Sequence, residues 1–77
     1  MEVKVNNKTY EIRELLAVEL DKILENQDKK EILKNQVLVS TGLSDEEYSK
    51  LTVKERLTIV QAINKLNGFE DFQKNSN

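Results

Sequence analysis

The sequence contains no proline, and its only two glycines are Gly42 and Gly68. Proline is the residue that most firmly interrupts a helix, because it lacks the amide donor and its ring clashes with the preceding turn. Glycine is the commonest helix stop, since it enters the left-handed conformation without steric cost. Helix is therefore expected to fill the chain from Glu14 onward, with breaks at Gly42 and Gly68.

The opening "MEVKVNNKTYEI" does not fit that pattern. Met1, Val3 and Val5 alternate with Glu2 and Lys4, the period of a half-buried strand. Asn6-Asn7 supplies a turn, because asparagine tolerates the left-handed backbone of tight hairpins. Parity then selects the register. A two-residue loop pairs Val5 with Lys8, Val3 with Tyr10 and Met1 with Ile12, which keeps every apolar side chain on one face. A three-residue loop would pair Val5 with Thr9 and set Tyr10 opposite Lys4. An even loop and a hairpin over 2–12 are expected. An isolated hairpin is marginal in water, so its apolar face must pack on the helices or be extended by another chain.

Four helices follow in the expected order. "ELLAVELDKILEN" sets Leu16, Leu20, Ile23 and Leu24 on one stripe and predicts a helix over about 15–25. "DKKEILKNQVLVSTG" predicts a second over 28–41, with Asp28 as N-cap and Glu31 at the third helical position. It turns inward Ile32, Leu33, Gln36 or Val37, and Val39 or Ser40. "TGLSDEEYSKLTVKER" then holds two capping boxes in succession. Ser44 with Glu47 opens a short helix over 45–50, and Thr52 with Glu55 opens a long one over 53–67. Leu43 and Leu51 precede these caps as hydrophobic staples, Leu43 against Tyr48 and Leu51 against the Arg56 stem or Leu57. The fold class is α+β, mostly α: a short N-terminal β-hairpin and a small bundle of about four helices. It is a single domain over 1–72 with a frayed tail over 73–77.

The last helix carries more apolar surface than one small core requires. Val53, Leu57, Ile59, Val60, Ala62, Ile63 and Leu66 spread over roughly 220° of its circumference, with Lys54, Thr58, Gln61 and Lys65 in the remainder. Either the helix is central and packed on two sides, or part of the stripe, together with Phe69 and Phe72, meets another protein chain. The two readings are compatible.

Composition narrows the chemistry. A chain of 77 residues buries only about 60% of its unfolded surface, and such chains are commonly supplemented by disulfides, a metal or association. There is no cysteine and no histidine, so oligomerisation or partner binding is the supplement left. Twelve basic and 14 acidic residues are interleaved along the chain. No basic stripe for a nucleic acid is evident, and Lys29, Lys30 and Lys34 read as a solvated helix face. No apolar run reaches the ~18 residues of a membrane span and the N-terminus lacks a signal-peptide core, so neither membrane nor export is expected and the location is cytoplasmic.

Enzymatic activity is not expected. The commonest general base and the strongest nucleophile are missing from the composition. Asp45, Glu46 and Glu47 occupy a helix first turn, where negative charge offsets the dipole. "SDEEYSKLTVKE" lacks the glycine of a calcium loop, and no phosphate-binding glycine pattern occurs. Ser44 and Thr52 commit their hydroxyls to capping. No catalytic, cofactor-binding or metal-binding residue is assigned.

The order of these pieces is similar to that in the tail assembly chaperones of long-tailed bacteriophages and prophages. "VKVNNKTYEIRELLAVEL" resembles their opening strand-turn-strand, of the form I-x-x-x-G/N-x-x-Y-x-I/L-R/K-x-L. "VLVSTGLSDEEYSKLTVKERLTIVQAINKLNGFEDF" resembles their TGL-S-x-E-E segment, which leads into a helix ending near AIN and NG. The likeness spans residues 3–72. It implies a mostly helical, non-enzymatic protein that binds the tape-measure protein, in many copies, until tube subunits displace it. Family members are often also made as longer frameshifted products that recruit the tube protein, and nothing in these residues matches that added domain. With helix-in-groove binding as the physics, the contacts expected for the client are Leu57, Val60, Ile63, Leu66 and Phe69. Which of them face the client and which the hairpin is left open by the pattern. Two other classes fit a compact acidic chain: an anti-defence inhibitor from a mobile element that binds a host protein, and an oligomeric structural subunit joined through the hairpin edge. Interspersed lysines count against the inhibitor, which favours acids concentrated on one face.

Overall fold

The computed structural model describes residues 1–69. Strands β1 (Glu2–Val5) and β2 (Lys8–Glu11) are followed by helices α1 (Ala17–Leu24), α2 (Lys29–Thr41), α3 (Asp45–Ser49) and α4 (Val53–Asn67). The expected hairpin and four helices are all present. The 73–77 tail and Phe72 lie outside the described residues.

β1 and β2 are antiparallel, with Val5 opposite Lys8 and Val3 opposite Tyr10. Beyond the ladder, Ile12 N–H donates to the Met1 carbonyl at 2.7 Å. The even register follows from the turn: Asn6 and Asn7 have φ of 51° and 64°, the paired left-handed conformation that matches strand twist. Val5 and Ile12 are buried, whereas Met1 sits exposed at the end of the apolar face it was expected to complete.

The core is formed by Ile12, Val37, Ile59 and Ile63, so hairpin, α2 and α4 meet at one point. α4 packs against β1 and α2, while α1 and α3 each pack against α2. Each fully buried isoleucine contributes about 1.5–3 kcal/mol relative to exposure, so the few on α4 carry much of the stability of so small a chain. On α2 the two alternatives resolve to Val37 and Ser40 as the buried positions.

α1 differs from expectation. It begins at Ala17 rather than near 15, because Leu16 N–H donates to the Glu19 carboxylate at 2.8 Å and makes Leu16 the N-cap. Arg13 donates to the same carboxylate through both terminal guanidinium nitrogens, at 3.0 and 2.7 Å. The stripe is also thinner than expected. Only Ile23 is buried, Leu20 is half-buried, and Leu16 and Leu24 are exposed. The cause is position: α1 packs on α2 at the periphery, where one side chain per two turns reaches inward.

Candidate functional site

The sequence between α2 and α4 is a capped corner. Gly42, at φ 79°, ends α2, and its N–H donates to the Leu38 carbonyl at 2.8 Å. Ser44 and Glu47 exchange bonds of 2.9 and 3.1 Å. Thr52 and Glu55 do the same at 2.8 and 3.1 Å. Both boxes satisfy amides that a helix start leaves without partners. Bonds from Ser44 hold the Glu47 carboxyl below the usual carboxylate range. Asp28 caps α2 in a simpler form, accepting from Lys30 N–H at 2.9 Å. Asn26 accepts the Asp28 N–H, the role that Glu31 would take in a full box.

Glu55 is more than a cap. It is 2% exposed, and its second oxygen lies 3.5 Å from the Lys8 ammonium on β2. The Thr52 N–H, with Lys8 adding to it, holds the carboxyl below the usual carboxylate range against the opposing effect of burial. Burial and this carboxylate together push the Tyr10 phenol up. A cleft of about 490 Å³ beside it is lined by Lys8, Thr9, Tyr10, Leu43, Glu47, Lys50 and Leu51. Its charged groups are engaged: Lys8 on Glu55, Lys50 on Glu46, and Glu47 in its cap. The cleft therefore offers no converging set of free groups for chemistry. Among the described residues no three acidic or other ligand side chains gather to hold a metal ion, and no helix is long and apolar enough to cross a membrane.

The broad stripe of α4 divides. Ile59 and Ile63 enter the core, and Val60, Ala62 and Leu66 pack against it half-buried. Ile63 is 1% exposed, so its place among the expected client contacts is corrected: it has no surface to offer. Leu57 is 54% exposed and Val53 75%. Phe69 is half-buried just beyond Gly68. Val53, Leu57 and Val60 follow a four-then-three spacing and share one helix face. With Leu33 of α2 and Arg56 they line a groove of about 180 Å³. A depression of about 480 Å³ continues it past Lys30, Glu31, Lys34 and Tyr48, sharing Leu33 and Arg56. The first of these is smaller than the 300–1,000 Å³ typical of small-molecule pockets, and its apolar floor lies open along two helices. A protein side chain or helix face fits that shape better than a metabolite.

Two residues make long-range ties that the sequence did not reveal, although Ser40 was already one of the alternatives for an inward position on α2. Ser40 is buried, its hydroxyl donates to the Arg13 carbonyl at 2.6 Å, and Arg13 N–H returns a bond to the Ser40 carbonyl at 2.9 Å. Asn67 accepts from Leu15 N–H at 2.9 Å and donates to the Ile63 carbonyl at 2.8 Å. They tie the connection between β2 and α1, at Arg13 and Leu15, to the ends of α2 and α4. A polar residue on an apolar helix stripe was the only available signal for Ser40. Val53 was read as part of the stripe but not as a contact. No family model, no curated protein and no solved structure matches the chain.

Proposed function

We propose that the chain is a non-enzymatic tail assembly chaperone of the long-tailed phage type, which binds the tape-measure protein and keeps it soluble until the tail tube assembles. The observation that carries the reading is the divided stripe of α4. Ile59 and Ile63 complete the core, and Val53 and Leu57 remain outward beside Leu33, where the fold itself makes no use of them. An exposed apolar groove next to a finished core is what reversible helix-in-groove binding requires. The ordering of hairpin, capped corner and final helix supports the family assignment through its resemblance to those chaperones. On this reading the protein works in the host cytoplasm on a protein partner, without a cofactor, and several copies coat one client.

Co-expression with candidate tape-measure proteins from neighbouring reading frames tests the proposal. The expected result is a soluble client that copurifies with the chaperone, and loss of both with Leu57→Glu while circular dichroism stays unchanged. A client that remains insoluble and uncaptured beside the wild-type chain would sink the proposal.

A further inference from the structure

The charges that alternate along the sequence separate in space. α2 and α4 together carry six basic and two acidic side chains, out of 12 and 14 in the whole chain. One of those two acids, Glu55, is buried and faces Lys8. Every exposed charge on α4, namely Lys54, Arg56 and Lys65, is therefore positive. The other acid, Glu31, lines the groove together with Lys34, which meets Asp45 at 3.1 Å, whereas Lys30 and Arg56 have no acidic partner within 4 Å among the described residues.

Both helices also break a local rule at this end. Lys29 and Lys30 stand beside Glu31 in the first turn of α2, and Lys54 beside the buried Glu55 in the first turn of α4, where the helix dipole is positive and only the carboxylates are favoured. Local conflicts of this kind concentrate where a surface serves something outside the fold. On α4 the helical repeat places Arg56 on one side of the Val53, Leu57 and Val60 seam and Lys54 on the other. The result is an apolar seam with basic shoulders. Its complement is a helix with apolar anchors at the same spacing and acidic shoulders. A nucleic acid would call for cations along the middle of the groove, and the middle is apolar.

We infer that the groove between α2 and α4 receives an amphipathic helix whose apolar anchors are flanked by carboxylates. The inference rests on the reading of this groove as the client-docking surface and adds the chemistry of the segment it takes. Two synthetic helical peptides serve as probes, identical in their leucine seam and differing only in glutamate or lysine at the flanking positions. The glutamate peptide is expected to bind the full chain about tenfold more tightly at low salt, with the ratio shrinking as salt screens the rim. Arg56→Glu should reverse the preference, and Leu57→Ala should weaken the glutamate peptide by about tenfold. Equal binding of the two peptides, or a preference that Arg56→Glu leaves unchanged, overturns the inference and leaves the docking groove standing. Salt-sensitive binding of a short DNA duplex in place of either peptide overturns it in favour of nucleic acid. If neither peptide binds but co-expression still keeps the tape-measure protein soluble, the inference falls and the chaperone reading survives.

Discussion

Glu55 joins three levels of the structure: its backbone N–H and carboxylate close the capping box with Thr52, its burial sets it beneath the hairpin, and its charge meets Lys8. The first of these was legible in the sequence, because a serine or threonine three residues before a glutamate is a local pattern. The other two were not, because Lys8 and Tyr10 reach Glu55 only after the chain has folded back on itself. The consequence is a defined acid sensitivity. Glu19 is held down to about 2, first by Arg13 and then by the Leu16 N–H, and Glu47 and Glu55 are also held low. Carboxyls whose folded pKa lies below the unfolded value of about 4.3 stabilise the native state above that pH, and the contribution is lost as pH falls through the folded value. We predict that the urea midpoint falls as pH is lowered from about 4.5 to 2, and that Glu55→Gln, which keeps an acceptor for Thr52 N–H, flattens part of that decline. A variant with the full wild-type decline would show that Glu55 does not contribute to it.

Among elements, the hairpin was read correctly down to its register, because alternation and loop parity leave one arrangement that buries the apolar face. Its turn still carries strain, since both Asn6 and Asn7 are left-handed without being glycine. We predict that Asn7→Gly stabilises the chain by about 0.5–1 kcal/mol, measured as a raised urea midpoint, because it retains the turn and removes the side-chain penalty. The opposite exchange at a helix end should cost about 1 kcal/mol. Gly42→Ala meets no atom within 4 Å, so its loss arises from the left-handed backbone alone, and an unchanged midpoint would refute that origin. α1 was misjudged for a reason that belongs to this scale. Helical periodicity reports which side chains share a face, and says nothing of how deep the helix sits. Leu16 and Leu24 belong to the same stripe as Ile23 and yet are exposed, and the ties that hold the preceding connection come from Ser40 and Asn67, far along the chain.

For the whole molecule, a chain of 77 residues commands about 4–12 kcal/mol of stability, so the assignment of each apolar residue to core or surface has measurable weight. The breadth of the α4 stripe was legible, and its division was not, because that depends on where the hairpin and α2 end against it. Ile63 meets the hairpin and α2 through the common core, and Leu57 stands fewer than two turns earlier, lining the groove. Ile63→Ala should therefore cost about 2–5 kcal/mol, a loss made of both transfer and cavity, and enough to unfold much of the population. Leu57→Ala should stay within about 0.5–1 kcal/mol, because the side chain it shortens is already more than half in water. Parallel urea titrations of the two variants decide the matter, since each departs from the parent chain at a single position on the same helix. Similar losses would mean that the stripe is core along its whole width, and the groove would then have no apolar face to give a partner. A large gap between them leaves Leu57 as surface that the fold does not require, which is the condition for a docked helix to come and go without disturbing the domain.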